Sequence, residues 1–218
     1  MNKTVLGCGG ILLLLLIIFG VGGCGSYNRL VRLDQTVNEK WAQVQNVYQR
    51  RADLIPNLVA TVSGAADFEK STLMAVTQAR ATVGQVKVDP NKAPTNQQQV
   101  DQFQAAQDQL TGALSRLLVV VERYPELKAN QNFLGLQAQL EGTENRISVE
   151  RGNFNEAVKE YNTEVRSFPT VLLAGMFGFQ PRPFFNAQPG ADKAPEVKFD
   201  FNKPAATPAP ATTPAATP

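Results

Sequence analysis

The sequence predicts an all-α fold: an N-terminal transmembrane helix followed by an antiparallel four-helix bundle with a long, kinked first helix. Three observations carry this. The chain opens on an unbroken apolar run, ILLLLLIIF, at residues 11–19. Apolar residues then recur at alternating steps of three and four through residue 168, the pattern of helix seams. Within that region no alternating run is bounded by Asn-Gly or Asp-Gly, so nothing signals a strand.

Residues 1–25 carry a single charge, Lys3. The uncharged stretch 5–25 is long enough to cross a bilayer, which takes about 20 residues of helix. A second reading is a bacterial lipoprotein signal, because Val21-Gly22-Gly23-Cys24 resembles a lipobox whose Cys24 would take the lipid. Helical heptads begin at Tyr27, leaving almost no tether after Cys24, so the uncleaved helix is favoured. The expected location is the bacterial cell membrane, single-pass, with a lipid-anchored extracytoplasmic protein as the alternative. Lys/Arg bias leans toward the bulk lying inside, since Arg29, Arg32 and Lys40 follow the run and only Lys3 precedes it.

Residues 26–168 read as the four-helix bundle. The first seam is Tyr27, Leu30, Asp34, Val37, Trp41, Val44, Tyr48, Arg51, Ile55, Leu58 and Val62, apolar or aromatic at all but Asp34 and Arg51. Pro56 lies inside it, yet the phase does not reset. One long helix is expected to continue to about Gly64, kinked near the Ala52 carbonyl that Pro56 cannot bond. A second helix is expected over 68–83, N-capped by Asp67. Its inner face is Leu73, Val76 and Ala79. After a loop holding Pro90 and Pro94, a third is expected over 97–124, on Val100, Phe103, Leu110, Leu114, Leu117 and Val121, stopped by Pro125. A fourth is expected over 133–168, ended by Pro169, with Glu144 and Arg151 as polar intrusions in its seam. Short connections make neighbouring helices antiparallel.

The polar seam positions Asp34, Arg51, Glu144 and Arg151 form a candidate buried network. Aligning Tyr27 with Phe168 in an antiparallel pairing sets Arg51 opposite Glu144 and Asp34 opposite Tyr161. A buried ion pair there would fix register more than it would stabilise. The same four residues could instead line a polar cavity for a small ligand, making the protein a sensor or carrier.

Residues 169–186 are apolar but too short to span a membrane. Leu172, Leu173, Met176, Phe177, Phe179, Phe184 and Phe185 either cap the base of the bundle or dip into the membrane interface, with Arg182 at headgroup level. Residues 187–218 hold half of the chain's 14 prolines and end in PAATPAPATTPAATP, a disordered Pro/Ala/Thr-rich tail. Within it Val197, Phe199 and Phe201 alternate with polar residues and form a candidate partner motif that could add as a strand to a sheet edge.

Composition narrows the chemistry. The net charge is +2, too balanced for a nucleic-acid footprint. The chain has no histidine, and its only cysteines are Cys8 and Cys24. That removes histidine bases and ligands, and thiol chemistry beyond the N-terminal segment. No catalytic residue, metal site or cofactor is assigned. The expected partners are the lipid bilayer and an unidentified envelope protein, and the expected role is that of a membrane-anchored interaction or scaffold protein, not an enzyme.

Several segments carry a resemblance. They are Tyr27-Asn28, Leu30-Val31, Val37, Trp41 and Val44, then Tyr48-Gln49-Arg50-Arg51-Ala52-Asp53-Leu54-Ile55-Pro56-Asn57-Leu58-Val59. Ala79-Arg80-Ala81, Glu122-Arg123-Tyr124-Pro125-Glu126-Leu127-Lys128, Glu144-Asn145-Arg146-Ile147, Arg151, Phe154, Tyr161-Asn162, Phe168-Pro169 and Gly178-Phe179 continue it. Together they resemble the LemA family of bacterial membrane proteins over residues 10–201. The resemblance implies one transmembrane helix and an antiparallel helical bundle, with no established catalytic residue, cofactor or substrate. It points toward membrane-associated scaffolding with links to envelope proteases. The chain departs from the family pattern at Cys24, which makes a lipobox, and in its Pro-Ala-Thr extension.

Overall fold

Helix α1 runs without a break over Lys3–Ser63 and passes through Pro56. The structure, a computed structural model, describes residues 3–65, 68–86, 89 and 92–186, with side chains from residue 23 onward. Its compact units are Met1–Phe185 and Asn186–Pro218. The second lies outside the described residues apart from Asn186. Among the described residues of the first, all regular structure is helical: α1, α2 (Lys70–Gln85), α3 (Gln97–Val121), α4 (Pro125–Lys128), α5 (Gln131–Arg166) and α6 (Thr170–Phe177).

The helices form two close pairs, α1 with α5 and α2 with α3. α5 runs antiparallel to α1, since Arg29 meets Glu164 at 3.1 Å while Arg51 meets Glu144. The seam of α1 is buried at Leu30, Val37, Trp41, Val44, Tyr48, Arg51, Ile55, Leu58 and Val62. Each of the large apolar side chains among them contributes about 1.5–3 kcal/mol by leaving water. The core divides in two. One cluster gathers around Trp41, Phe103, Phe154 and Phe185, and the other around Leu58, Val76, Leu110 and Phe133.

Several boundaries differ from expectation. Asp67 lies outside the described residues, and Glu69 holds the N-cap position of α2 without a side-chain cap bond. Asn96 caps α3 by accepting from the Gln99 amide, and Asn130 caps α5 by accepting from Asn132 and Phe133. Pro125 does not stop α3, which ends earlier, at Val121. Instead Pro125 opens the one-turn α4, where its missing N–H costs nothing. Phe168 is no seam residue. α5 ends at Arg166, the chain turns out of the helix at Ser167, and Phe168 is 81% exposed. Among the residues whose side chains are described, no helix is long and apolar enough to cross a membrane. The apolar run expected to do so falls at residues 5–22, outside those side chains.

α6 ends at Gly178, whose positive φ of 75° takes the left-handed conformation that a helix C-terminus uses, with the Phe179 amide closing on the Ala174 carbonyl at 2.9 Å. That turn sends residues 179–185 back along the bundle as an extended strap.

Candidate functional site

Three arrangements of polar or apolar side chains stand out, and they lie at different heights along α1.

The first is a layer around Arg51, between the two core clusters. Arg51 is 1% exposed, yet it occupies a seam position that an apolar residue would normally fill. Its guanidinium reaches two other helices. Nη1 donates to Thr111 Oγ1 of α3 at 3.0 Å and to Glu144 of α5, and Nη2 donates to Gln107 Oε1 and, at 3.4 Å, to the Gln107 carbonyl. The plane also lies over the Tyr48 ring at 5.1 Å. Burial pushes the Tyr48 hydroxyl pKa above its ordinary value, against a partial downward pull from Arg151 and Arg51. Glu144 itself is not buried: its side chain is 43% exposed. The buried partner of Arg51 is Gln107, a residue that looks in the sequence like one more glutamine of a glutamine-rich helix.

At the next residue of α1, Arg80 Nε donates to the Ala52 carbonyl at 3.1 Å. This is the carbonyl whose usual donor, the amide of residue 56, is absent because that residue is proline. α2 thereby supplies the hydrogen bond that α1 lacks.

The second arrangement is a lock on the strap. Asn162 of α5 accepts from the Arg182 amide at 2.7 Å and donates to the Arg182 carbonyl at 2.8 Å. Asn155 does the same for Phe185, at 2.9 and 3.1 Å. The spacing explains the match. Seven residues of helix rise about 10.5 Å, and three residues of extended chain cover about 10 Å. Two asparagines one heptad apart therefore read two strap residues three apart. Between them Pro183 offers no amide that would need a partner.

The Arg182 side chain completes the lock. Nη2 pairs with Asp34 Oδ1 at 2.7 Å, and Nη1 donates to the Ala93 carbonyl at 3.1 Å in the α2–α3 connection. Asn38 holds the other side, accepting from the Ala93 amide at 2.9 Å and donating to Asp34 Oδ2 at 3.3 Å. Burial, and then the Asp34 carboxylate, raise the Tyr161 pKa, while Arg182 pulls it down. Phe185 is 5% exposed, stacked on Trp41 at 5.9 Å and edge-on to Phe154 at 5.5 Å, with the Arg151 guanidinium 4.8 Å from its ring centre.

These contacts correct two expectations. Asp34, Arg51, Glu144 and Arg151 do not line one polar cavity. Asp34 and Arg51 stand about 25 Å apart along α1. Asp34 belongs to the lock and Arg51 and Glu144 to the layer, while Arg151 lies over the Phe185 ring and also acts on Tyr48 of the layer. The four therefore do not share one site. Nor are all the strap residues open to a membrane: Arg182 is held by Asp34, and Phe185 lies in the core. Phe179 packs edge-on against Tyr27 at 5.8 Å, and Phe184 is 38% exposed on the bundle side.

The third arrangement is the end of the bundle where α6 meets α1. Leu172, Met176 and Phe177 are exposed there, and Leu173 is partly covered. Cys24 is an exposed free thiol on α1 at the same end. Val197, Phe199 and Phe201 lie outside the described residues. A groove of about 550 Å³ opens between α1, α2 and α3 beside Gln49, Ala52 and Arg80. Its one cation, Arg80, is already engaged with Ala52. Among the described residues no three His, Cys, Asp or Glu side chains gather to hold a metal ion.

Comparison with known proteins places this geometry in a family. The LemA family model matches residues 40–199. Magnetosome proteins MamQ 1 and MamQ 2 of Paramagnetospirillum magneticum are each 27% identical to the chain over 185 residues, covering 76% of it and 66% of their own length. Protein LemA of Metamycoplasma hominis is 24% identical over 150 residues, covering 69% of the chain and 64% of its own length. The chain thus spans about two thirds of the length of these curated relatives. The matched region contains the whole Arg51 layer and most of the strap lock, from Asn155 to Phe185. The chain belongs to the LemA family.

Proposed function

We propose that this protein is a membrane-anchored interaction or scaffold protein of the bacterial envelope, with residues 5–25 as its single membrane-spanning helix. Residues 26–168 form a bundle standing on that anchor, and the Pro/Ala/Thr-rich residues 187–218 recruit a partner protein. The observation that carries the reading is the continuity of α1. The same uninterrupted helix, Lys3–Ser63, contains both the uncharged apolar run and the buried seam from Leu30 to Val62. A bundle built on such a helix transmits its position rigidly to the bilayer. A lipoprotein would instead begin at Cys24, inside the helix and without a tether.

The rest of the chain supports a structural role. The buried Arg51 and Gln107 are turned on one another across helices, and the Arg182–Asp34 pair joins the strap to α1. Groups committed to internal hydrogen bonds hold register and leave little chemistry for a substrate. The names of the relatives in Paramagnetospirillum magneticum attach them to magnetosomes.

Alkaline carbonate extraction of membranes tests the anchor. The full chain is expected to stay in the pellet, and a Leu13→Arg, Leu16→Arg variant to move to the supernatant. Release of the full chain by carbonate overturns the reading.

A further inference from the structure

α6 is an eight-residue helix with no charged side chain, and much of its apolar surface is uncovered by the fold. Leu172 is 62% exposed, Met176 74% and Phe177 55%, and Phe168 in the preceding turn is exposed as well. Apolar side chains exposed one at a time are ordinary on a protein surface. Met74, Val119 and Val149 are of that kind, each on a different helix. Five within ten residues, Phe168, Val171, Leu172, Met176 and Phe177, gather at one end of the bundle.

The covered side of α6 says what lies against the open side. A Cβ on Gly23 would stand 3.9 Å from Leu173 Cδ1, and Phe177 meets the Tyr27 ring edge-on with centres 5.0 Å apart. α6 is therefore fastened to α1 between residues 23 and 27. At that height the uncharged stretch 5–25 gives way to Arg29 and Arg32. The nearest ion pair, Arg29 with Glu164, begins about a turn above, with the Arg29 side chain 64% exposed. An uncharged apolar surface held at the end of a membrane-length helix, with cations one turn further out, has the layering of a bilayer boundary: acyl chains, then headgroups.

We propose that α6 is an interfacial helix that lies in the boundary of the lipid bilayer, with Phe168, Leu172, Met176 and Phe177 against the acyl chains. The inference rests on the reading of residues 5–25 as the membrane helix. It adds a second attachment beside that helix. A single span leaves a bundle free to lean, whereas a span and an interfacial helix fixed to each other set the angle at which α1 and α5 leave the membrane.

Trp41 is the only tryptophan of the chain and is fully buried. It stands about 25 Å along α1 from Cys24, out of contact with acyl chains, so the wild-type protein supplies its own blank. The test reconstitutes the full chain into phosphatidylcholine–phosphatidylglycerol vesicles, with and without brominated acyl chains, and compares Met176→Trp, Leu172→Trp and the distant Met74→Trp. The proposal expects blue-shifted added emission at 176 and 172 that bromolipid roughly halves, and water-like, unquenched emission at 74. Protein that floats with the vesicles but shows water-like emission at both 172 and 176 overturns the interfacial seat and leaves the anchor standing. Blue-shifted emission that bromolipid does not quench also overturns it, since a protein surface, not lipid, would then cover α6. Protein that fails to float overturns the anchor and the seat together.

Discussion

Replacing Arg51 with methionine removes a fully buried cation from the middle of the bundle and keeps most of its volume. The cost can be apportioned from the contacts. Glu144 is 43% exposed and turns its carboxylate to water, so losing that pair costs little. Thr111 keeps its bond to the Gln107 carbonyl at 3.0 Å. Gln107 Oε1 loses its donor within a residue 4% exposed. An orphaned buried acceptor costs about 1–3 kcal/mol, and the lost charged hydrogen bond raises the total to about 2–4 kcal/mol. The companion change follows. Arg51→Met with Gln107→Leu should recover most of the loss, whereas Arg51→Met with Glu144→Leu should recover less than about 1 kcal/mol. Denaturant unfolding of the four proteins, followed by circular dichroism at 222 nm, reads each difference. Rescue by Glu144→Leu equal to that by Gln107→Leu would refute the apportioning, and an Arg51→Met protein as stable as wild type would refute the layer itself.

Other consequences concern the strap, the proline and the tyrosines. Asn162→Ala should cost about 1–3 kcal/mol and speed hydrogen exchange at the Arg182 amide while leaving the Phe185 amide, held by Asn155, slower; equal acceleration at both would mean that the strap peels as a unit. Arg80→Met should cost about 1 kcal/mol or less, because water can reach the Ala52 carbonyl. The same change in a Pro56→Ala background should cost nothing, since the restored amide bonds that carbonyl from within α1; an undiminished loss there would assign Arg80 another role. Tyr48 and Tyr161 resist ionisation in the fold more than in the unfolded chain. Their contribution is therefore complete below 10.0, the ordinary tyrosine value, and is lost as pH rises from there through the folded values. Unfolding midpoints from pH 8 to 11, compared with a Tyr48→Phe, Tyr161→Phe variant, should diverge only above about pH 10.

What could be read from the sequence was what is periodic. The seam of α1 from Leu30 to Val62 stands in the spacing of its apolar residues, and its phase carries through Pro56. Arg51 is visible as the polar residue in that seam. Antiparallel register alone sets Arg51 opposite Glu144, and it does so because α1 and α5 pair over most of their length. The polar partners across other helices are not periodic. Gln107 sits among many glutamines, and only the path of the Arg51 guanidinium distinguishes it. The strap was missed for a related reason: Gln180-Pro181-Arg182-Pro183-Phe184-Phe185 has no secondary-structure period, so its apolar residues look available to a membrane. The one legible clue was Asn155 and Asn162, poor helix formers placed a heptad apart on the buried side of a long helix. Asp34 was assigned to the seam for its spacing, but a carboxylate there needs a cation, and Arg182 arrives from 148 residues away.

The proposed role depends on α1 being a permanent membrane helix continuous with the bundle. The intact mass of the chain extracted from the membrane fraction tests that most directly. A mass that begins at Met1 is the predicted result. A mass that begins at Cys24 with an attached lipid would contradict it, replacing the spanning helix by an acyl anchor at the foot of α1.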